Sequence, residues 1–325
     1  MNSVSMKVLI AVLGSALLWT ACKKEQSNTP AEERQQFQDP QKSGVVPDDP
    51  ALLAKVPLLM SAAYRSTERG KPVKGGGGGT TDTTPVAPPP DPTPPPTDTT
   101  VIPPPVVAIP SSYALTMPPV RSQGMEGSCV AFAVAYAARS CEQFYKTNAT
   151  TYNDAVNTFS PEYVFDLVRS SADCSGSAVV NSLDLLKNNG VCTWQSMPYS
   201  AANGCSVVPT PSQTAEAANY KITSYSKIVY TDQTAIKTMI AGKHPVIASF
   251  NIDQGFYNAY PGFIWKSFTT GTGSHTMALC GYDDSKHAYK AINSWGTSWG
   301  DAGYIWIDYD FFTTVASYYT FVMNL

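Results

Sequence analysis

The stretch Gln123-Gly124-Met125-Glu126-Gly127-Ser128-Cys129-Val130-Ala131-Phe132-Ala133 joins a loop with two glycines to an apolar, alanine-rich segment that runs to about Thr147. Positions 129–138 carry no charge, no glycine and no proline. This pattern predicts a helix buried on nearly all sides, beginning at Ser128 or Cys129. A cysteine in a first helical turn feels the positive end of the helix dipole, which favours the thiolate. The stretch alone fits a reactive cysteine and an inert core cysteine equally well.

A reactive thiol needs a base, and the chain has three histidines. His244 precedes a proline and His287 follows the polar turn 283–286, so we expect structural or solvated roles for both. His275 lies in the segment Gly-Ser-His-Thr-Met-Ala-Leu-Cys-Gly-Tyr at 273–282, where an apolar strand follows a glycine-rich loop. Eighteen residues later comes Asn-Ser-Trp-Gly-Thr-Ser-Trp-Gly, which starts at Asn293.

Three elements in this order resemble the papain-like cysteine peptidases: Gln-x5-Cys, Ser-His before an apolar strand, and Asn-Ser-Trp-Gly-x2-Trp-Gly. The resemblance covers roughly residues 111–325, about two thirds of the chain. It implies an α+β fold of two subdomains, in which a helical half carrying the nucleophile helix faces a β-barrel-like half. That domain is predicted to span 111–325.

The resemblance also implies catalytic roles. Cys129 is expected to be the nucleophile, and His275 the general base that later protonates the leaving amine. Asn293 would orient the imidazole, while Trp295 would shield that contact from water. Gln123 would donate its side-chain amide to the oxyanion together with the Cys129 backbone N–H, and losing one such donor typically costs about 3 kcal/mol of transition-state stabilisation.

The chain departs from the family pattern around the substrate cleft. Val130 stands where the family has tryptophan. The segment Cys174-Ser175-Gly176-Ser177 resembles the family's Cys-x-Gly-Gly, whose second glycine pairs with an extended substrate, and Ser177 replaces that glycine. We therefore expect Gly176, Ser177, Thr276 and Trp295 to bind substrate. The resemblance further implies an apolar preference two residues before the cut, with Thr276 and Ala178 lining that pocket.

The cysteines fit an oxidising compartment. Glu126 stands where the family has a cysteine bonded to the match of Cys174, so that bridge cannot form. By resemblance Cys205 bridges back to the helical half, with Cys192 or Cys174 as its partner, and we favour Cys192. Cys280 lies in an apolar strand and is expected to be an inert buried thiol.

The N-terminus is typical of an export signal. Lys7 precedes twelve mostly apolar residues, 8–19, which are too few to span a bilayer that needs about 20. Residues 1–21 are therefore predicted to be a signal peptide. Cys22 follows small residues and resembles a bacterial lipobox, although Trp19 stands where leucine is favoured. We expect a lipoprotein lipidated at Cys22, anchored to a bacterial membrane on its periplasmic or cell-surface face; plain secretion is the alternative.

Two segments separate this anchor from the domain. Residues 22–74 are polar and mixed in charge, and the piece 33–37 does not reproduce the spacing of the family's inhibitory prodomain. They are predicted to be a spacer, the alternative being a short, atypical propeptide. Residues 75–110 hold a five-glycine run and twelve of the 26 prolines. Such a segment favours extended polyproline II and would reach up to roughly 110 Å as a tether.

Periodicity places helices in the first half of the domain and strands in the second. Ser160 and Pro161 form a helix start, and Gly190 a helix end. The predicted helices are 128–147, one from 161, 178–187 and 234–240. The predicted strands are 245–252, 276–282, 288–293, 304–309 and 317–323.

The sequence also excludes several classes of function. A formal net charge of −3 and a pI near 5.6 argue against nucleic-acid binding. Three dispersed histidines offer no metal-ligand spacing, and no glycine-rich phosphate loop lies between a strand and a helix, so no cofactor is expected.

We therefore predict a monomeric cysteine endopeptidase acting on proteins or peptides. An amidase or acyltransferase acting on non-protein cell-wall amides is one alternative, and a catalytically silent binding module is the other. The silent module is disfavoured because residue types able to perform the catalysis occupy all four positions: Gln123, Cys129, His275 and Asn293.

Overall fold

The structure is a computed structural model that describes residues 44–62, 64–65 and 108–325. The predicted signal peptide, Cys22 and most of the linker 75–110 lie outside these residues, and their assignments stay predictions. Within the described residues, no helix combines the length and the apolar character needed to cross a membrane.

A long helix forms the centre of the domain, as the alanine-rich stretch predicted. Helix α2 is continuous through Cys129–Ala131, a π-helical stretch Phe132–Arg139 and Ser140–Lys146. All residues from Cys129 to Glu142 are buried. Small alanine side chains let neighbouring elements approach the helix on several sides, which accounts for its burial.

Shorter helices complete the first half of the chain: α1 Pro50–Lys55, α3 Pro161–Val168, α4 Val179–Asn188 and α5 Pro211–Ala217. The Ser160 hydroxyl accepts the Tyr163 N–H at 3.0 Å, which caps α3 as predicted. Helix α4 is followed by Asn189 and then by Gly190, whose φ of 86° suits glycine.

The second half of the chain forms most of an eight-stranded sheet. Its strands are β1 Ser112–Ala114, β2 Ser224–Val229, β3 Val246–Asp253, β4 Ile264–Trp265, β5 Gly271–Asp283, β6 Ala288–Ile292, β7 Tyr304–Asp308 and β8 Tyr319–Asn324. Their order is β2-β8-β3-β5-β6-β7-β4, with β1 paired to β5, and only β4 and β7 pair in parallel. The helices in this half are α6 Gln233–Ala241, α7 Gln254–Tyr257 and α8 Tyr309–Val315. The five predicted strands are confirmed within one or two residues at most ends, although β5 begins five residues earlier than predicted.

Two hydrophobic cores flank helix α2. One core lies against the sheet and includes Ala137 and Cys141 from α2. The other packs α2 against α3 and α4 and includes Val130 and Val134. Because α2 supplies side chains to both cores, its first turn is fixed where the helical half meets strand β5. The predicted α+β architecture is confirmed.

The predicted disulfide is wrong. Cys205 is bonded to Cys174, with Cα atoms 5.5 Å apart, and Cys192 is a free thiol. Cys192 is fully buried in the helical core, where burial raises its pKa to about 12. The packing of the helical half therefore leaves Cys174, in the loop before α4, as the partner within reach of Cys205.

A segment from within the predicted spacer packs on the domain. Residues 44–62, here called the strap, include α1 and contact both halves. Pro57 O accepts the Lys227 N–H and Leu59 N–H donates to Lys227 O, each at 2.9 Å. The Ser61 backbone N–H and hydroxyl both bind the Asp232 carboxylate at 2.7 Å. The rest of the spacer stays a prediction.

Candidate active site

Cys129 occupies the first turn of α2 and is completely buried. Burial raises the pKa of its thiol to about 12, although hydrogen bonds from the Thr276 backbone and hydroxyl and from the Val130 backbone act in the opposite direction. The sequence predicted a thiolate at this position. In this structure the expected direction is reversed, because removing the sulfur from water outweighs the donors around it.

His275 lies on strand β5, paired with Phe250 of β3 and directly before the residue that contacts the Cys129 sulfur. Its Nε2 lies 2.7 Å from Asn293 Oδ1. The Ser294 backbone N–H also donates to Oδ1, at 2.7 Å, which identifies that atom as an acceptor. Nε2 therefore carries the hydrogen, and Nδ1 is the nitrogen that can take a proton.

Burial also sets the charge of this imidazole. It lowers the pKa of His275 to about 4, with the Asn293 contact acting in the opposite direction. The imidazole is thus a neutral base at neutral pH. A thiol and a neutral imidazole are the resting partners from which a thiolate–imidazolium pair forms.

Aromatic rings pack against the His275 imidazole. The Trp295 ring centroid lies 4.7 Å from that of His275, and the Phe256 centroid lies 5.7 Å away. Trp295 is 3% exposed, and Tyr257 stacks on it. His275 and Asn293 are 3% and 4% exposed, so their contact meets little water, and the shielding role of Trp295 stays a prediction. Phe256 was not predicted from the sequence, because helix α7 is too short to give a periodic signal.

Gln123 links the two halves of the domain. Its Nε2 donates to Glu126 O at 2.8 Å, and its Oε1 accepts the Ser294 hydroxyl at 2.5 Å. Its backbone N–H also donates to Ser294 O at 2.8 Å. An amide nitrogen carries two hydrogens, so the bond to Glu126 leaves one for the predicted oxyanion contact. Ser294 lies inside the Asn-Ser-Trp motif, but the sequence assigned it no role.

The predicted substrate-pairing residues already pair with the protein's own chain. Val46 N–H donates to Ser177 O at 3.0 Å, and Ser177 N–H donates to Gly44 O at 3.3 Å. Val45 and Ser177 form a parallel bridge. Gly176, with φ of 143°, accepts the backbone N–H and the hydroxyl of Ser170 through its carbonyl oxygen. The backbone of Ser177 thus forms an edge that pairs with an extended peptide.

The strap ends directly over the nucleophile. A Cβ at Gly44 would overlap the Cys129 sulfur and lie 3.0 Å from Gly127 O. The Ser274 hydroxyl lies 3.5 Å from Val45 O on the same side of the cleft. The strap therefore covers Cys129, and glycine at position 44 permits this close approach.

A cavity of about 250 Å³ lies beneath the strap. Its walls are mainly apolar and aromatic, from the strap, α4, β3 and β8: Val45, Val46, Pro47, Asp48, Leu53, Val179, Ser249, Ser317, Tyr318, Tyr319 and Phe321. Thr276 and Ala178, which the resemblance placed in the pocket, are not among them. Thr276 contacts Cys129 instead, and its hydroxyl lies 2.8 Å from the Ser249 hydroxyl.

The other two histidines lie outside this site. His244 Nδ1 lies 2.9 Å from Glu142 Oε1, and that contact raises the pKa of His244. His287 lies beside Asp308 and Asp310 at an exposed corner. Asp308 there caps helix α8 by accepting backbone N–H groups, so this grouping has a structural use.

Comparison with known proteins identifies the family. The family described as "Papain family cysteine protease" matches residues 110–320. The chain is 33% identical over 189 residues to gamete and mating-type specific protein A of Dictyostelium discoideum, covering 58% of this chain and 39% of that protein. It is 30% identical over 191 residues to fruit bromelain of Ananas comosus, covering 57% and 50%. The chain thus spans half or less of the length of these two relatives.

A solved structure shows the same fold. Xylellain, a cysteine protease from Xylella fastidiosa, superposes with a TM-score of 0.63 at 21% identity, over 87% of this chain and 96% of that one.

Proposed function

Because the chain belongs to the papain family of cysteine proteases, we propose that it is an endopeptidase that cleaves peptide bonds through a thioester at Cys129. The observation that carries the proposal is the 2.7 Å contact between His275 Nε2 and Asn293 Oδ1, next to the residue that contacts the Cys129 sulfur. This contact leaves Nδ1 as the basic nitrogen, which is the state a general base needs.

The reaction follows from these groups. His275 Nδ1 takes the thiol proton while the sulfur attacks the peptide carbonyl carbon, which forms a C–S bond and an oxyanion. The Gln123 amide and the Cys129 backbone N–H stabilise that oxyanion. The C–N bond then breaks, and the imidazolium gives its proton to the leaving amine. Water, deprotonated by His275, then attacks the thioester carbon; the C–S bond breaks, the acid product leaves, and the imidazolium returns its proton to the Cys129 sulfur.

The chemistry of the cleft supports a peptide as substrate. Ser177 offers both its backbone N–H and its carbonyl to a paired extended chain, as its contacts with Gly44 and Val46 illustrate. An edge of this kind recognises backbone amides whatever their side chains. The walls that α4 and β8 contribute to the adjacent cavity remain when residues 44–48 leave it, and Val179 and Phe321 among them favour an apolar side chain near the cut.

The strap supports a latent form of the enzyme. With Gly44 over the sulfur and the edge at Ser177 occupied, a substrate carbonyl has no access to Cys129. Release of residues 44–48 from the cleft is then required before turnover.

Peptide turnover in the full chain tests the function. We would compare Gly44→Val, which opens the cleft, with Gly44→Val/Cys129→Ala on a mixed peptide library and on cell-wall peptides, and identify new termini by mass spectrometry. We expect cleavage of library peptides that depends on Cys129. Cleavage of cell-wall amides alone would favour an amidase, and no turnover of either would favour a binding module.

The N-terminus supports export and a lipid anchor at Cys22, which would hold the domain at a bacterial membrane on its periplasmic or cell-surface face. Expression of the full chain with Cys22→Ser beside Ser27→Ala tests this. We expect only Cys22→Ser to lose the lipid mass and to leave the detergent phase on partition. Equal partition of both variants would reject the anchor.

A further inference from the structure

One tyrosine holds together the loop that carries the oxyanion donor Gln123 and leads into Cys129. This loop, residues 123–128, is called the donor loop. The Tyr199 hydroxyl lies 2.7 Å from Gln123 O, 2.7 Å from Ser128 Oγ and 2.9 Å from Glu126 Oε2. A single side chain thus joins the beginning, the middle and the end of the donor loop.

The hydrogens available to this hydroxyl limit how its contacts are made. A tyrosine hydroxyl has one hydrogen to donate and can accept two. The Gln123 carbonyl can only accept, so it needs the Tyr199 hydrogen, while Ser128 can donate its own. An ionised Glu126 carboxylate also only accepts, and it would compete with Gln123 for the same hydrogen. A protonated Glu126 donates to Tyr199 instead, and all three contacts are then made.

The surroundings of Glu126 also favour its neutral form. Glu126 is 9% exposed, and its Oε1 is buried with no hydrogen-bond partner among the described residues. Burial raises the pKa of Glu126, while the Tyr199 contact acts in the opposite direction. An ionised carboxylate in this position would leave one charged oxygen without water or a donor, which is costly.

Helix α3 adds acidic groups on the facing side. Burial and, to a smaller extent, the Glu126 charge raise the pKa of Asp166 to about 6, while a hydrogen bond from the Val207 backbone and the Arg169 charge act in the opposite direction. Glu162, on the same helix, acts on Tyr199 through its charge. Two interacting buried carboxylates resist being ionised together.

The backbone of Glu126 connects this network to the reaction. Glu126 O accepts the Gln123 side-chain amide at 2.8 Å, and the Ser294 hydroxyl donates to the other end of that amide. The orientation of the Gln123 amide therefore depends on where the Glu126 backbone lies. A shift of the donor loop would turn that amide away from the developing oxyanion. Misalignment of a donor at this point reduces the stabilisation of the transition state.

We propose that Glu126 is a positioning residue that works as a neutral acid: by donating to Tyr199 it lets Tyr199 hold the Gln123 carbonyl, and its deprotonation loosens the donor loop and lowers kcat. This inference rests on the proposed peptidase function. It predicts that kcat falls at alkaline pH for two reasons. Glu126 loses its proton first, and the Cys129–His275 pair loses its proton at a higher pH.

Three variants test the proposal in the Gly44→Val full chain, in which the cleft is open. Glu126→Gln always presents an N–H to Tyr199 and cannot ionise, so we expect its alkaline limb of kcat to move up by about one pH unit, with the acid limb unchanged. Glu126→Asp retains an ionisable group and should retain the lower limb. Tyr199→Phe should lower kcat about tenfold and change KM less than about twofold, because the donors act mainly in the transition state.

The proposal would be overturned if kcat depended on pH in the same way in Glu126→Gln and in its parent, the Gly44→Val chain. An unchanged kcat in Tyr199→Phe would also overturn it. If Glu126→Gln fails to fold, the kcat and KM of Tyr199→Phe decide the matter. A parent that turns over no substrate at any pH would instead count against the proposed function.

Discussion

Gly44 lies over the sulfur of Cys129, at a distance that leaves no room for a side chain at position 44. The contact joins residues 85 positions apart in the chain, and a proline-rich segment lies between them. It places a part of the chain that looks like a spacer within the reactive cleft.

Enlarging residue 44 should open the cleft. A valine there would press on the Cys129 sulfur and on Gly127 O, and overpacking of this kind typically costs about 1–3 kcal/mol. The open population should then rise roughly 5- to 150-fold, which the alkylation rate of Cys129 in the full chain would report. Ala54→Ser, at an exposed position of the strap helix, is the matched control and should leave the rate unchanged. An equal rate in Gly44→Val and its parent would show that the strap does not limit access.

The ionisation of Cys129 should differ between the closed and the open chain. In the closed chain, burial raises the pKa of the thiol to about 12, so alkylation should stay slow until strongly alkaline pH. Opening returns water to the sulfur, while the helix N-terminus and the donors from Thr276 and Val130 remain. The pKa should therefore fall, and reactivity in Gly44→Val should persist well below the usual thiol pKa of about 8.5. A profile like that of free cysteine in the opened chain would reject an activated thiol.

Asn293 should matter for rate more than for substrate binding. Its Oδ1 fixes the hydrogen on His275 Nε2 and leaves Nδ1 basic. In the Gly44→Val chain, Asn293→Ala should lower kcat by about 10- to 100-fold with a small change in KM, because positioned proton transfer typically contributes 10²–10⁴-fold. Asn251→Ala, at an exposed position on β3, is the control. A change confined to KM would contradict the orienting role.

The disulfide should stabilise the domain through Cys174 and Cys205. The bond closes a loop across a sequence separation of 31, for which chain entropy predicts about 3–4 kcal/mol. Cys174→Ser and Cys205→Ser should lower the midpoint of urea unfolding by the same amount as each other. In either variant a reductant should not lower that midpoint further. Non-reducing peptide mapping should link these two positions and leave Cys192 unmodified until unfolding. A link between Cys192 and Cys205 would contradict the structure.

Much of the site was predictable because its chemistry is local. The Asn-Ser-Trp-Gly motif and the strand at His275 are short and contiguous, and the apolar run after Cys129 is not interrupted by charge, glycine or proline. The buried helix, the predicted strands and the capped helix after Ser160 follow from such patterns. The candidate catalytic residues could therefore be named before their distances were known.

Other parts depend on contacts between distant segments. Gly44 lies between Ser43 and Val45 in a stretch with no helical or strand period, so nothing nearby indicates that it meets Cys129. The bond between Cys174 and Cys205 required knowing that Cys192 is enclosed in the helical core. The contacts of Tyr199 with Glu126 and Gln123 join positions more than 70 residues apart, for which sequence spacing carries no signal.

The sequence by itself determined which groups are present: a thiol at a helix start, an imidazole with an amide partner, and a carboxyl group in the donor loop. Only the tertiary structure decided their state, because burial and neighbouring donors set whether each group meets water. The same Cys129 that a helix dipole favours as a thiolate is held as a thiol under the strap. That difference arises from desolvation, which depends on how distant segments pack.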